Sequence, residues 1–136
     1  MKGRKPNLKV INGGADLGRC PGAPAWLTVQ AKREWKRSAP ELHNRGLLKP
    51  DVMQTFEAYC VAAGQVREFE EIMAAEGRLI TTDDGQKPHR AFGMQLSAMR
   101  EARLLAGELG LTPHRRCAAD KGQEEKGNGW DQDLLA

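Results

Sequence analysis

Residues 50–77 read PDVMQTFEAYCVAAGQVREFEEIMAAEG, and the spacing of apolar side chains along this stretch decides the fold class. Val52, Met53, Phe56, Tyr59, Cys60, Ala63, Val66, Phe69, Ile72 and Met73 recur at helical intervals, so they share a stripe. Pro50 is the favoured first residue of a helix and Gly77 a favoured stop, and the spacing predicts one helix between them. A helix of about twenty-six residues spans roughly 39 Å, longer than the core of a small domain usually needs. Gly64 near its middle permits a bend or a close helix approach.

Working outward, the chain before Pro50 carries a second helix. Thr28 is a good N-cap, and Trp26 or Leu27 before it can staple onto the first turn. From Val29 to Asn44, Ala31, Trp35, Ala39 and Leu42 share one face, while Lys32, Arg33, Lys36 and Arg37 fall largely off it. Pro40 is expected to kink this helix or end it early, and Gly46 suits the left-handed residue that closes it. After Gly77, Ile80-Thr81-Thr82 lead into the turn signal Asp84-Gly85, which reads as a loop with marginal strand character because too few residues flank it for an independent sheet. A third helix follows Pro88, with Ala91, Phe92, Leu96, Met99, Arg103 and Leu105 as its periodic residues and Gly110 as its end.

The expected fold is therefore all-α: a basic arm over residues 1–24, a helical domain over 25–116 and an acidic tail over 117–136. Within the domain a short first helix, resembling the first half of a helix-turn-helix, packs on a long antiparallel hairpin of two helices. Any two helices with a Gly-containing turn meet that helix-turn-helix description. Only about ninety residues are left to fold, and a unit of that size often gains stability by associating with copies of itself. Trp35, Phe56, Tyr59, Val66, Phe69, Ile72, Phe92, Leu96 and Met99 are accordingly assigned to the core or to a subunit interface, together with Trp26, and the Tyr59 hydroxyl needs a partner.

The formal charge of +3 hides an asymmetry. The arm carries Lys2, Arg4, Lys5, Lys9 and Arg19 against Asp16, while the tail sets Asp120, Glu124, Glu125, Asp131 and Asp133 against Lys121 and Lys126. A cationic arm neutralises phosphates and releases counterions, giving sequence-independent nucleic-acid binding that weakens with salt. Lys2, Arg4, Lys5 and Lys9 are thus candidate DNA contacts, Arg4 beside Pro6 being placed to enter a narrow minor groove. Lys32, Arg33, Lys36 and Arg37 offer a second basic surface on a rigid helix, and Arg115-Arg116 a third. For each of these residues taken singly a solvated face is the simpler account. Trp130, Leu134 and Leu135 place apolar groups in the acidic tail, a composition suited to ordering on a protein partner.

The search for catalysis is negative. No GxxxxGK[ST] phosphate loop occurs, and Gly13-Gly14 follows no strand. His43 and His89 lack ligand neighbours at helical spacing, His114 with Cys117 is one isolated pair, and no metal or other cofactor is expected. His43-Asn44 invites comparison with His-Asn-His nucleases but lacks their strand context. Cys20, Cys60 and Cys117 are odd in number and scattered, which points to a reducing compartment, and neither a membrane span nor a signal core is present.

Several short stretches taken in order carry a family resemblance. They are Met1-Lys2-Gly3-Arg4-Lys5-Pro6, Pro24-Ala25-Trp26-Leu27, Ala31-Lys32-Arg33-Glu34-Trp35, Ala39-Pro40-Glu41-Leu42, Gly46-Leu47-Leu48, Ala58-Tyr59-Cys60, Glu76-Gly77, Lys87-Pro88-His89 and Leu109-Gly110-Leu111-Thr112-Pro113. Together they resemble the small subunit of tailed-bacteriophage terminase, in the family whose members open with a Gly-Arg-Lys-Pro arm. The resemblance implies a non-catalytic component of the genome-packaging motor in the host bacterial cytoplasm. It implies binding to viral double-stranded DNA and recruitment or regulation of the large ATPase and nuclease subunit, with Trp130, Leu134 and Leu135 as the suggested contact. It also implies a homo-oligomeric ring of about eight to eleven subunits. Lys49 departs from the Thr or Ser cap common in the family, and the tail after Ala118 carries no part of the resemblance. A small dimeric helix-turn-helix transcription regulator is the alternative from another class.

Overall fold

The computed structural model describes residues 17–113 and 115. Among them are three helices, α1 (Val29–Asn44), α2 (Met53–Glu76) and α3 (Arg90–Glu108), and between α2 and α3 a two-stranded antiparallel hairpin of β1 (Leu79–Thr82) and β2 (Gly85–Pro88). The described fold is mostly helical, with the hairpin as an addition to the all-α expectation. The register Thr82↔Gly85 makes Asp83-Asp84 the two-residue turn. Every hairpin residue is exposed, so packing does not hold it. Its open end is tied instead, because the His89 N–H donates to the Arg78 carbonyl at 2.9 Å just as the chain enters α3.

Local capping explains most helix boundaries. The Thr28 hydroxyl accepts the Ala31 N–H at 3.3 Å and starts α1. Pro40 stands inside this helix and does not end it early. Its ring lies on the solvent side, while its neighbours Ala39 and Leu42 are fully buried, and the packing of that face outweighs the missing donor. At the end of α1, Gly46 adopts φ +66°, its N–H donates to His43, and the Leu47 N–H reaches back to Leu42. Gly110 repeats this pattern after α3, with φ +67° and bonds from Gly110 to Gly107 and from Leu111 to Ala106. Pro50 is not the first residue of α2. The Lys49 carbonyl accepts the Val52 N–H in a turn, and helical bonding begins with Phe56 to Val52. Val52 supplies no side-chain cap, consistent with the absence of a Ser or Thr at this junction.

The core forms where α1 crosses α2. Leu27, Ala31, Trp35, Ala39 and Leu42 meet Phe56, Tyr59, Cys60 and Leu109. The Trp35 and Phe56 rings pack with centroids 4.5 Å apart, and Phe56 stacks on Tyr59 at 6.3 Å. The crossing is closest at Gly64, where an added Cβ would lie 2.7 Å from the Ala31 nitrogen and 2.9 Å from its Cα. The chain before α1 is laid along it as well: the Trp35 indole N–H donates to the Pro21 carbonyl at 3.0 Å, and Cys20 and Ala23 pack on the core.

Helix α3 runs antiparallel to α2, since His89 pairs with Glu76 and Gln95 with Val66 and Glu70 further back along α2. The face it turns to α2 differs from the one its large side chains predict. Ala91, Gln95 and Ala98 are buried, whereas Phe92, Leu96 and Met99 are 45, 39 and 43% exposed. Small residues allow close approach, and the Gln95 amide donates to the Val66 carbonyl at 3.1 Å and to Glu70 Oε2 at 2.8 Å. Of the residues assigned to core or subunit interface, Trp35, Phe56 and Tyr59 are buried in the protomer, and on α2 Val66 and Phe69 are half-buried and Ile72 is exposed.

The Gly64→Ala variant is expected to lose about 1–3 kcal/mol, because the new methyl meets backbone that cannot rotate away. Gly93→Ala in α3, where a Cβ meets nothing within 4 Å, is expected to be neutral or to gain up to about 1 kcal/mol. Urea unfolding midpoints of the two variants check this contrast.

Candidate nucleic-acid interface

Positive charge is unevenly distributed over the elements. Helix α2 holds Arg67 against Glu57, Glu68, Glu70, Glu71 and Glu76, whereas α1 holds Lys32, Arg33, Lys36 and Arg37 against Glu34 and Glu41. In a helix-turn-helix the second helix would enter the groove, yet the first turns of α2 offer no cation and turn Phe56 into the core. Of the three helices α1 has the largest excess of basic over acidic residues, α3 holding Arg90, Arg100 and Arg103 against Glu101 and Glu108. The buried side of α1, Gln30, Ala31, Trp35, Ser38, Ala39 and Leu42, leaves Arg33, Lys36 and Arg37 on the solvent side.

The four α1 cations are not equivalent. The Lys32 ammonium donates to the Ala25 carbonyl at 2.9 Å, and the Arg33 guanidinium to Gln30 Oε1 at 3.2 Å. Arg37 is the most committed: its Nε donates to Glu34 Oε2 at 3.0 Å, and its Nη2 reaches Glu34 Oε1 and the Tyr59 oxygen. Glu34 Oε1 also accepts from the Ser38 hydroxyl at 2.8 Å and from the Tyr59 hydroxyl at 2.6 Å. Burial pushes the Glu34 carboxyl up, but bonds from Arg37, Tyr59 and Ser38 outweigh it and hold the group below the usual carboxylate range. The same carboxylate keeps the Arg37 charge in place. Burial first, then the bond to Glu34, pushes the Tyr59 hydroxyl up to about 12, and burial raises the Cys60 thiol to about 12, where it is inert as a nucleophile. Lys36 is fully on the solvent side, and among the described residues no ion pair involves it.

Arg115 lies elsewhere, with Arg103 on a recess of about 790 Å³ at the end of α3, so the structure does not bring it to the α1 cations. Lys2, Arg4, Lys5, Lys9 and Arg116 lie outside the described residues, as do Trp130, Leu134 and Leu135. Sequence reading missed Gln95, a polar residue on a packed face; its only signal was its i, i+3/i+4 relation to Ala91 and Ala98. It also passed over Lys49, noted as a departure from a cap and not as a cation beside α1.

A second surface is apolar. Trp26 is 64% exposed and stands over a groove of about 640 Å³ between α2 and α3, where Val61, Phe69, Met94 and Leu105 also face the opening. Outside it, Phe92, Leu96 and Met99 form an exposed stripe at helical spacing on α3. Among the described residues no group of three or more His, Cys, Asp or Glu gathers as a metal site, and no helix is long and apolar enough to cross a membrane.

The sequence pattern of the family described as phage terminase, small subunit, matches residues 31–126. The chain belongs to the phage terminase small-subunit family. The match takes in the α1 cations from Lys32 onward, the α1–α2 crossing and the whole α2–α3 hairpin. It begins after the Gly3-Arg4-Lys5-Pro6 arm and extends past Ala118, beyond the point where the resemblance read from individual motifs stops. Comparison with curated proteins finds no match, and comparison with solved structures finds none. The role of the chain is that of a phage terminase small subunit.

Two outcomes separate the cations of this terminase subunit. Arg37→Ala, which strips Glu34 of its cation, is expected to lower stability by about 0.2–1 kcal/mol. Lys36→Ala is expected to leave the urea midpoint unchanged while weakening duplex DNA binding. Because the folded carboxyl of Glu34 sits below its unfolded value, its contribution is present at neutral pH and is lost as pH falls through the carboxylate range. The wild type is thus expected to lose more stability on acidification than Glu34→Gln, as read from midpoints at pH values on both sides of that range.

Proposed function

We propose that the chain is the non-catalytic, DNA-recognising small subunit of a packaging terminase. It binds viral double-stranded DNA in the cytoplasm of the infected bacterium and brings in or regulates the large subunit that carries the ATPase and nuclease. The observation that carries this reading is the family match across all three helices. The distribution of charge supports it, since the basic residues of α1 face solvent on an element fixed by the core. The arm cations Lys2, Arg4, Lys5 and Lys9 add phosphate contacts without base reading.

The exposed apolar surface supports homo-oligomerisation. A lone protomer leaves Trp26, Phe92, Met94, Leu96, Met99 and Leu104 in water, and a neighbouring copy removes them. We place the subunit contacts on the two flanks of α3, the groove under Trp26 and the stripe of Phe92, Leu96 and Met99, in a ring of about eight to eleven copies. A ring multiplies weak phosphate contacts, because each further protomer engages DNA at a high effective concentration. In the tail, Trp130, Leu134 and Leu135 are assigned to the large subunit.

Light scattering tests the reading first. A mass near eight to eleven times 15.0 kDa is expected, and a dimer would favour the transcription-regulator alternative. Leu96→Glu with Met99→Glu is expected to reduce the assembly to smaller species while the helical circular dichroism is retained. Exchange of Trp130, Leu134 and Leu135 for Ala is expected to weaken large-subunit binding in a pull-down; unchanged binding would remove the tail assignment.

A further inference from the structure

Arg19, His43 and Lys49 belong to three different segments: the chain leading to α1, the last turn of α1 and the turn before α2. All three line one recess of about 310 Å³, with Leu17 and Leu48 among its walls. Among the described residues no carboxylate lines it, whereas Glu108, Glu101 and Glu41 stand in the recesses at the end of α3, between α2 and α3, and beside Tyr59. The His43 ring is fixed, because a carbonyl only accepts and Nε2 therefore donates to Gly18 at 3.1 Å. The C-terminal carbonyls of α1, which would otherwise repel an anion here, are engaged: Glu41, Leu42 and His43 accept from Arg45, Leu47 and Gly46. Lys36 precedes His43 by two helical turns on the same side of α1, about 10 Å along the axis.

We propose that this recess seats a backbone phosphate of duplex DNA, with Arg19 and Lys49 supplying the charge, His43 forming a wall, and Lys36 engaging the backbone further along α1. The proposal rests on the DNA-binding reading above and locates it at the C-terminal end of α1, where Arg19, the last cation of the basic arm, meets Lys49, which the sequence did not mark as a DNA contact. Arg19 and Lys49 are both exposed, so their replacement leaves the core untouched. The recess is built by tertiary structure: Gly46 turns the chain so that Lys49 comes back beside His43, and Trp35 holds Pro21 so that Arg19 meets them.

The test is duplex oligonucleotide binding by the full chain in its native assembly over a series of salt concentrations. Arg19→Ala with Lys49→Ala is expected to weaken binding and to lower the slope of log K against log salt by at least about one, the signature of a lost phosphate contact. The charge-matched control Arg78→Ala with Lys87→Ala, on the β-hairpin, is expected to keep the wild-type slope, and Lys49→Gln alone to show a smaller loss. A wild-type slope in the Arg19/Lys49 variant would overturn the recess and leave the DNA reading standing. No duplex binding by the wild type would overturn the DNA reading and the recess with it. Inorganic phosphate is expected to displace duplex from the wild type better than chloride at equal ionic strength, and no better than chloride from the double variant. Binding of inorganic phosphate that the double variant loses, with duplex affinity and salt slope unchanged, would assign the recess to a free anion and overturn the proposal.

Discussion

The approach of α1 to α2 at Ala31 and Gly64 constrains everything else in the protomer. With no Cβ at Gly64, the backbones come close enough for Trp35 to lie against Phe56 and for Tyr59 to reach Glu34. A methyl there would push the helices apart along the whole crossing, since helices are rigid on this scale and interiors are close-packed. The segment before α1 depends on the same contact, because it is held by the Trp35 indole.

That crossing also sorts the charges of α1. Glu34 sits where α1 meets Tyr59, so it binds the tyrosine hydroxyl, Ser38 and Arg37 together and keeps its own charge despite partial burial. Arg37 is therefore a structural cation first, and Lys36, one residue earlier, points to water. A run of four basic residues that looks uniform as text becomes one internal partner, two side chains satisfied locally and one ammonium exposed to solvent. In a family whose members handle DNA, such a division keeps the helix rigid while leaving charge at its surface.

The α2–α3 hairpin shows the opposite economy. Its two helices meet through Ala91, Gln95 and Ala98, which leaves Phe92, Met94, Leu96, Met99 and Leu104 outside while Leu105 packs on the core. Gln95 fixes the register by bonding across to Val66 and Glu70, a polar clamp that a purely apolar contact between small residues would not provide. The stripe of Phe92, Leu96 and Met99 stays exposed in the protomer, and it is the apolar surface that the proposed contact between copies of the chain would take out of water.

Much of this molecule is legible in its sequence because the responsible physics is local. Thr28, Gly46, Gly77 and Gly110 mark helix ends by capping and by left-handed backbone, and the long period from Val52 to Met73 requires a helix whatever surrounds it. The family is legible for a related reason, since short motifs in order survive as text. Three features were decided only in three dimensions. Pro40 remains inside α1 because the burial of Ala39 and Leu42 outweighs a lost donor. The face of α3 that packs is set by close approach and not by side-chain size. Arg19, His43 and Lys49 share a recess because two turns and one indole hydrogen bond bring together residues up to thirty positions apart in the chain. Local rules fix where elements begin and end, but which side chains stay in water depends on contacts between elements, and those exist only once the chain has folded.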